Sequence, residues 1–276
     1  MFLEIIKFLI YSVLIVLISK YILVKLLRKL ALSLNLSSKT VGNIAGVATS
    51  VPELLTVSFS AFAGLVSSSV FNIISSNIIN VCQYTLAVIL NKNQKQIRNK
   101  GIRIQLILVM FTILIPIFML VLNIEFKWNI VPIFILLFIL FYYMNSNVHK
   151  LYLKKEDEEK SKKIEKEKES QSKKSVIVIK YAIYLLLTSV ALYFVGDQLS
   201  NVLESLAEIF NIPELVLGIA LGFITSLPEL ITFFESQKHH TEEQEGMVEA
   251  TNNLLASNVL NLFIIQSIGI IIMELV

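Results

Sequence analysis

Thr49-Ser50-Val51-Pro52-Glu53-Leu54 returns in the second half of the chain as Thr225-Ser226-Leu227-Pro228-Glu229-Leu230. Downstream of each copy a second block recurs, Asn72-Ile73-Ile74-Ser75-Ser76-Asn77-Ile78-Ile79-Asn80 and then Asn253-Leu254-Leu255-Ala256-Ser257-Asn258-Val259-Leu260-Asn261. Two blocks recurring in the same order mark a duplicated unit. Each copy puts a glutamate beside a proline inside a long apolar run, and the surroundings decide what that means.

Across 276 residues the hydrophobic share is 55% and the charged share 16%, a balance that places the chain in lipid. Crossing a bilayer as a helix takes about 20 apolar residues. Eight runs meet that need: Phe2 to Leu27, Val41 to Ala63, Val66 to Leu90, Ile102 to Leu122, Trp128 to Leu151, Val176 to Leu199, Pro213 to Phe234 and Val248 to Met273. The expected fold is an all-α integral membrane protein of about eight transmembrane helices. The first run is read as a span and not a secretion signal, because Glu4 precedes Lys7, the run is long and no small-residue cleavage site follows. Cys82 is the sole cysteine, which excludes an internal disulfide and a thiolate metal cluster.

Basic residues set the orientation. Lys25, Arg28, Lys29 and Lys39 follow the first span, Lys92, Lys95, Arg98, Lys100 and Arg103 separate the third from the fourth, and Lys150, Lys154 and Lys155 follow the fifth. The positive-inside rule makes that side cytoplasmic and leaves the N-terminus outside, with a plasma membrane as the expected location. The acidic segment from Glu235 to Glu249 departs from the rule. Residues 154–174 are nearly all charged and read as a cytoplasmic linker. It divides a first half, 1–153, with five spans and a repeat over about 41–91, from a second half, 175–276, with three spans and a repeat over about 211–274. The second and seventh spans are an odd number of crossings apart, so the two copies have inverted topology.

A carboxylate at mid-span is expensive unless it meets a cation, a proton or a polar cavity, and no Lys or Arg lies within a span near Glu53 or Glu229. Pro52 and Pro228 lack the N–H that would bond the carbonyls of Ala48 and Ile224, so each helix is expected to kink there and leave those oxygens free. Gly42, Gly46, Gly218 and Gly222 allow close approach of another helix. A four-residue spacing puts Thr49 on the helix face of Glu53, and Thr225 on that of Glu229. Asn72, Ser76 and Asn80 form a polar stripe at the same step, mirrored by Asn253, Ser257 and Asn261. Every donor offered is oxygen, which suits hard cations and argues against zinc or copper. Two carboxylates balance one divalent or two monovalent ions, so such a site can trade one kind for the other.

These blocks resemble the two signature repeats of the sodium/calcium exchanger family, within the larger cation/calcium exchanger group. The resemblance covers most of the chain and is strongest in the TSxPEL and SNxxN blocks. It implies Na+ and Ca2+ as transported ions with no cofactor, competing at a central four-helix cluster by alternating access while spans one and six slide past. It further implies Glu53 and Glu229 as calcium ligands, hydroxyl or carbonyl oxygens from Thr49, Ser50, Thr225 and Ser226, sodium sites completed by Ser76 and Ser257, and amides at Asn80 and Asn261 where the family places an amide or an acid. Phe71 and Asn252 replace a usual glycine, as do Ser75 and Ala256, which implies looser helix packing. The second copy carries about five additional residues between its glutamate and its last asparagine, placed in the Gln237 to Gly246 loop. Family members commonly have ten spans, so a chain ending at Val276 after eight implies reliance on a second copy or a helper subunit.

Three readings stay open at this point: a sodium-for-calcium antiporter, a proton-coupled cation exchanger, and a non-transporting relative acting as a sensor or assembly subunit. The absence of TSxPEL from the first repeat of proton-driven relatives favours the first. His239-His240 beside Glu242, Glu243 and Glu245 is a candidate regulatory metal loop, with plain hydration as the bland reading. No phosphate-binding loop, nucleophile triad or zinc spacing is present, so an enzyme is not expected. The mixed-sign linker gives no reason to expect nucleic-acid binding.

Overall fold

The computed structural model describes residues 2–23, 25–26, 29, 37–148, 171–239 and 243–276. Eleven α-helices carry the chain among them: α1 (Phe2–Ile18), α2 (Ser38–Thr49), α3 (Val51–Phe62), α4 (Val66–Leu90), α5 (Lys100–Val121), α6 (Val131–Val148), α7 (Gln171–Phe210), α8 (Glu214–Thr225), α9 (Leu227–His239), α10 (Glu243–Val259) and α11 (Gln266–Leu275). A π-helical stretch, Leu260–Ile265, joins α10 to α11, and α1 continues into another, Ser19–Leu23. Among the described residues seven helical segments are long and apolar enough to cross a membrane.

The sixth of the expected eight runs falls in a helix longer than its apolar length suggests. Val176 to Leu199 lies within α7, whose uninterrupted apolar part, Ile183–Leu199, is shorter than the other seven. Lys180 sits at the edge of that part and limits it. The helix also begins at Gln171, inside the tract read as linker, and runs 40 residues to Phe210. At 1.5 Å per residue that is roughly 60 Å, about twice a bilayer's hydrocarbon thickness, so its ends project into the aqueous phase. Most of the linker, 154–170, and residues 240–242 of the His239-His240 loop lie outside the described residues.

The second and seventh spans are each interrupted at a single serine, across which four-residue bonds persist: the Ser50 and Ser226 amides reach the Gly46 and Gly222 carbonyls at 3.2 Å. α2 ends at Thr49 and α3 begins at Val51, with Ser50 between them at φ −82° and ψ 0°. α8 and α9 are separated in the same way by Ser226 at φ −80° and ψ −1°. The prolines then fall in the first turn of the following half-helix, where a missing N–H is tolerated. Each of these serine amides turns to the carbonyl four residues back, Gly46 or Gly222, and not to that of Ala48 or Ile224.

Inverted topology follows from the contacts. α8 runs alongside and parallel to α4: the Glu214 carboxylate accepts the Ser67 amide at 2.9 Å where both helices start. Further along, a Cβ at Gly218 would lie 2.5 Å from the Ser68 carbonyl oxygen, and one at Gly222 2.7 Å from that of Asn72. α2 runs parallel to α10 in the same manner, with a Cβ at Gly46 meeting the Asn253 carbonyl oxygen at 2.6 Å and one at Gly42 meeting the Asn252 Cβ at 2.9 Å. Because α4 turns back on α3 at Gly64, which has φ +74°, α4 opposes α2–α3. The two copies of the motif therefore enter the membrane with opposite sense, each glycine pair seating its helix on the partner's backbone.

Outer layers fix this core in place. Phe263 stacks edge-on with Phe134 at 5.7 Å, and Tyr84 with Phe233 at 5.7 Å. At Asn252, where looser packing was expected, the amide is a clamp: Gln105 Nε2 donates to its Oδ1 at 2.9 Å and to Asn145 Oδ1 at 2.6 Å, tying α5 and α6 to α10. α1 and α7 meet through Ile15, Leu23, Leu192 and Leu199, an apolar seam that also touches Leu217 and Leu221 of α8.

Gly46→Leu and Gly222→Leu each drive a branched side chain into an opposing backbone, with an overpacking penalty of about 1–3 kcal/mol or more. The expected outcome is a lower melting temperature and a smaller monodisperse fraction in detergent. An unchanged melt in both variants would contradict backbone-to-backbone seating.

Candidate functional site

The breaks at Ser50 and Ser226 put four helix ends at the centre of the molecule. Glu53 and Glu229 occupy the first turns of α3 and α9, where the positive end of the helix dipole favours a carboxylate. The C-terminal ends of α2 and α8, at Thr49 and Thr225, present the negative end of their dipoles. Carboxylate, carbonyl and hydroxyl oxygens thus gather where two spans are interrupted, an arrangement that favours a cation.

All ten candidates, Thr49, Ser50, Glu53, Ser76, Asn80, Thr225, Ser226, Glu229, Ser257 and Asn261, have 0% of their surface exposed. Neither oxygen of Glu53 has a hydrogen-bond partner, and Glu229 Oε2 has none. Only Ser257 Oγ reaches a carboxylate, donating to Glu229 Oε1 at 3.2 Å. Among the described residues no basic side chain pairs with either central glutamate. The two carboxylates are close enough for their charges to interact. Burying one unpaired carboxylate at the middle of a span costs about 3 kcal/mol or more, and a second of the same sign beside it raises the cost.

Thr49 and Glu53 fall on consecutive helices with Ser50 between them, and Thr225 and Glu229 are parted by Ser226 in the same way. The hydroxyls cross over instead. Thr225 and Ser226 stand beside the Glu53 carboxylate without reaching hydrogen-bonding distance, and Thr49 stands beside Glu229. Each glutamate is flanked by the hydroxyls of the other repeat, which a single linear motif cannot reveal.

Further bonds hold the arrangement. Ser50 Oγ and Ser257 Oγ lie 2.9 Å apart, linking the break in the first copy to the polar stripe of the second. Ser76 Oγ donates to the Gly222 carbonyl at 3.3 Å and to Asn72 Oδ1 at 3.3 Å. The stripe on α4 is α-helical throughout, whereas Asn261 falls in the π-helical stretch, so the expected four-residue step from Ser257 is altered there.

Thr56 and Thr232 went unremarked in the sequence. Thr56 Oγ1 donates to the Pro52 carbonyl at 3.0 Å and accepts from Asn72 Nδ2 at 2.7 Å; Thr232 Oγ1 donates to the Glu229 carbonyl at 2.9 Å and accepts from Asn253 Nδ2 at 2.8 Å. These hydroxyls tie the glutamate-bearing turns to α4 and α10. A signal was present, because both threonines stand three residues after their glutamate.

The same architecture occurs in solved structures of the sodium-calcium exchanger NCX_Mj. A form soaked with Na+ and Sr2+ aligns with a TM-score of 0.56 and 22% identity, over 99% of this chain and 83% of that one. A form soaked with Na+ and no Ca2+ aligns with a TM-score of 0.56 and 21% identity, over 99% and 84%. At that identity the likeness speaks for the fold. No curated protein matches by sequence. The family described as sodium/calcium exchanger protein matches residues 5–146 and 180–276, on both sides of the charged tract. With most of its length matched and both repeats included, the chain belongs to the sodium/calcium exchanger protein family.

Proposed function

We propose that this chain is a secondary antiporter that exchanges Na+ for Ca2+ by alternating access at the central cluster. The observation that carries the reading is the pair Glu53 and Glu229: fully buried, without a basic partner and close enough to interact. In a low-dielectric interior such a pair is tolerable when positive charge visits it. The surrounding donors are all oxygen, the preference of hard cations.

In this reading the two carboxylates bind Ca2+, with Thr49, Ser50, Thr225 and Ser226 supplying hydroxyl or backbone oxygens. Ser76 and Ser257 complete sodium positions, and the amides of Asn80 and Asn261 add neutral oxygens. One Ca2+ cancels the charge of both glutamates, so full occupancy by Ca2+ leaves no favourable place for Na+, and competition follows. Exchange requires that the site open to one side at a time. The apolar α1–α7 seam suits sliding, because dispersion contacts among Ile15, Leu23, Leu192 and Leu199 have no fixed register of hydrogen bonds to break.

The same reading places the protein in a plasma membrane with its N-terminus outside. The basic loops and the charged tract are then cytoplasmic, and that tract separates the halves 1–153 and 175–276.

Reconstituted into liposomes, the native chain is expected to accumulate Ca2+ under an outward Na+ gradient and to stop when the gradient is dissipated. Glu53→Gln and Glu229→Gln, which keep shape and remove charge, are each expected to lower uptake to background while leaving the detergent-purified protein monodisperse. Uptake driven equally by a proton gradient without Na+ would point to the proton-coupled alternative. Native-level flux in both variants would remove the glutamates from the mechanism.

Competition is measurable separately. External Na+ is expected to raise the apparent KM for Ca2+ and leave the maximal rate unchanged, because both ions draw on the same carboxylates. A fall in maximal rate at constant KM would contradict a shared site.

A further inference from the structure

Asn77 and Asn258 are absent from the candidate ligands, yet they hold each other across the centre of the two repeats. Asn77 Nδ2 donates to the backbone carbonyl of Asn258 at 3.1 Å, and Asn258 Nδ2 donates to the backbone carbonyl of Asn77 at 3.1 Å. A backbone carbonyl can only accept. Neither amide can therefore turn over without pressing its own oxygen against another oxygen, so the N and O ends of both side chains are fixed by chemistry.

That assignment propagates. Asn258 Oδ1 accepts from Asn80 Nδ2 at 3.1 Å, and Asn77 Oδ1 accepts from Asn261 Nδ2 at 3.3 Å. With their nitrogen ends committed, Asn80 and Asn261 are left with Oδ1 atoms that are buried and receive no donor. Asn80 Nδ2 also lies 3.4 Å from Ser257 Oγ, the hydroxyl that reaches Glu229, so this amide borders the carboxylates. All four asparagines are fully buried.

We propose that Asn77 and Asn258 are positioning residues that set the amide polarity of Asn80 and Asn261, so that each presents oxygen, and not nitrogen, to the transported cation. The inference rests on the exchanger reading above and deepens it. An amide has nearly the same shape when flipped, so packing alone does not choose between an oxygen that attracts a cation and an NH2 that repels it. Two carbonyl anchors make the choice, one for each repeat. The locked oxygens carry a second consequence: an ionised aspartate at position 80 or 261 would face Asn258 Oδ1 or Asn77 Oδ1 without a hydrogen to offer. The network thereby holds the site at two carboxylates.

The test is Ca2+ binding to the purified full-length chain in detergent, read by titration calorimetry through double-mutant cycles. Asn258→Ala is expected to weaken binding about tenfold, yet by less than about twofold when Asn80 is already alanine, because the amide it steers is gone. Asn77→Ala and Asn261→Ala should be coupled in the same way, whereas Asn258→Ala and Asn261→Ala should multiply. Equal effects of Asn258→Ala with and without the Asn80 side chain would show action through packing alone and overturn the proposal.

Should the alanine variants fail to fold, Asn258→Asp provides the check. Its protonated form can donate to the Asn77 carbonyl and accept from Asn80, so its affinity relative to native is expected to match at low pH and fall as the pH rises. A ratio independent of pH would overturn the positioning role. Absence of Ca2+ binding by the native chain would instead overturn the exchanger reading, and this inference with it.

Discussion

Two carboxyl side chains buried at the centre of the fold, with no basic partner among the described residues, are the constraint around which the molecule is arranged. Each of Glu53 and Glu229 would be unfavourable alone in a membrane interior, and together they repel. Hydrophobic packing elsewhere in the fold holds them together, since lipid-depth helices cannot relax by exposing the carboxylates to water.

Backbone geometry makes that preparation local. Interruptions at Ser50 and Ser226 set the two carboxylates at the positive N-terminal ends of α3 and α9, next in the chain to the negative C-terminal ends of α2 and α8. Glycines bring α2 onto α10 and α8 onto α4 until backbones touch, so the polar groups of the two repeats meet, as Ser50 Oγ does with Ser257 Oγ at 2.9 Å. The centre is consequently shared between the halves.

Much of this was legible from residues. Recurrence of Thr-Ser-x-Pro-Glu-Leu and of the asparagine-serine stripe located the centre, because polar identities at fixed spacing in lipid are too costly to persist without use. The inverted sense followed from counting apolar runs. What remained hidden depended on three-dimensional placement. The interruption at Ser50 puts Thr49 and Glu53 on consecutive helices, which a rule built on i and i+4 does not register. The π-helical stretch through Asn261 has no marker in composition. Thr56, Thr232, Asn77 and Asn258 matter through bonds to groups far along the chain or to backbone carbonyls, and only their repetition at matching offsets hinted at it. The length of α7 was understated because its apolar part is shorter than the helix.

The central claim is that a hard cation is the missing counter-charge for Glu53 and Glu229. Anomalous diffraction from crystals grown with Sr2+ in place of Ca2+ addresses it without relying on transport. The account predicts one strong peak between the two carboxylates, ringed by the hydroxyl and amide oxygens of both repeats. A peak confined to the surface, or a basic side chain of the protein seated between the glutamates, would contradict it.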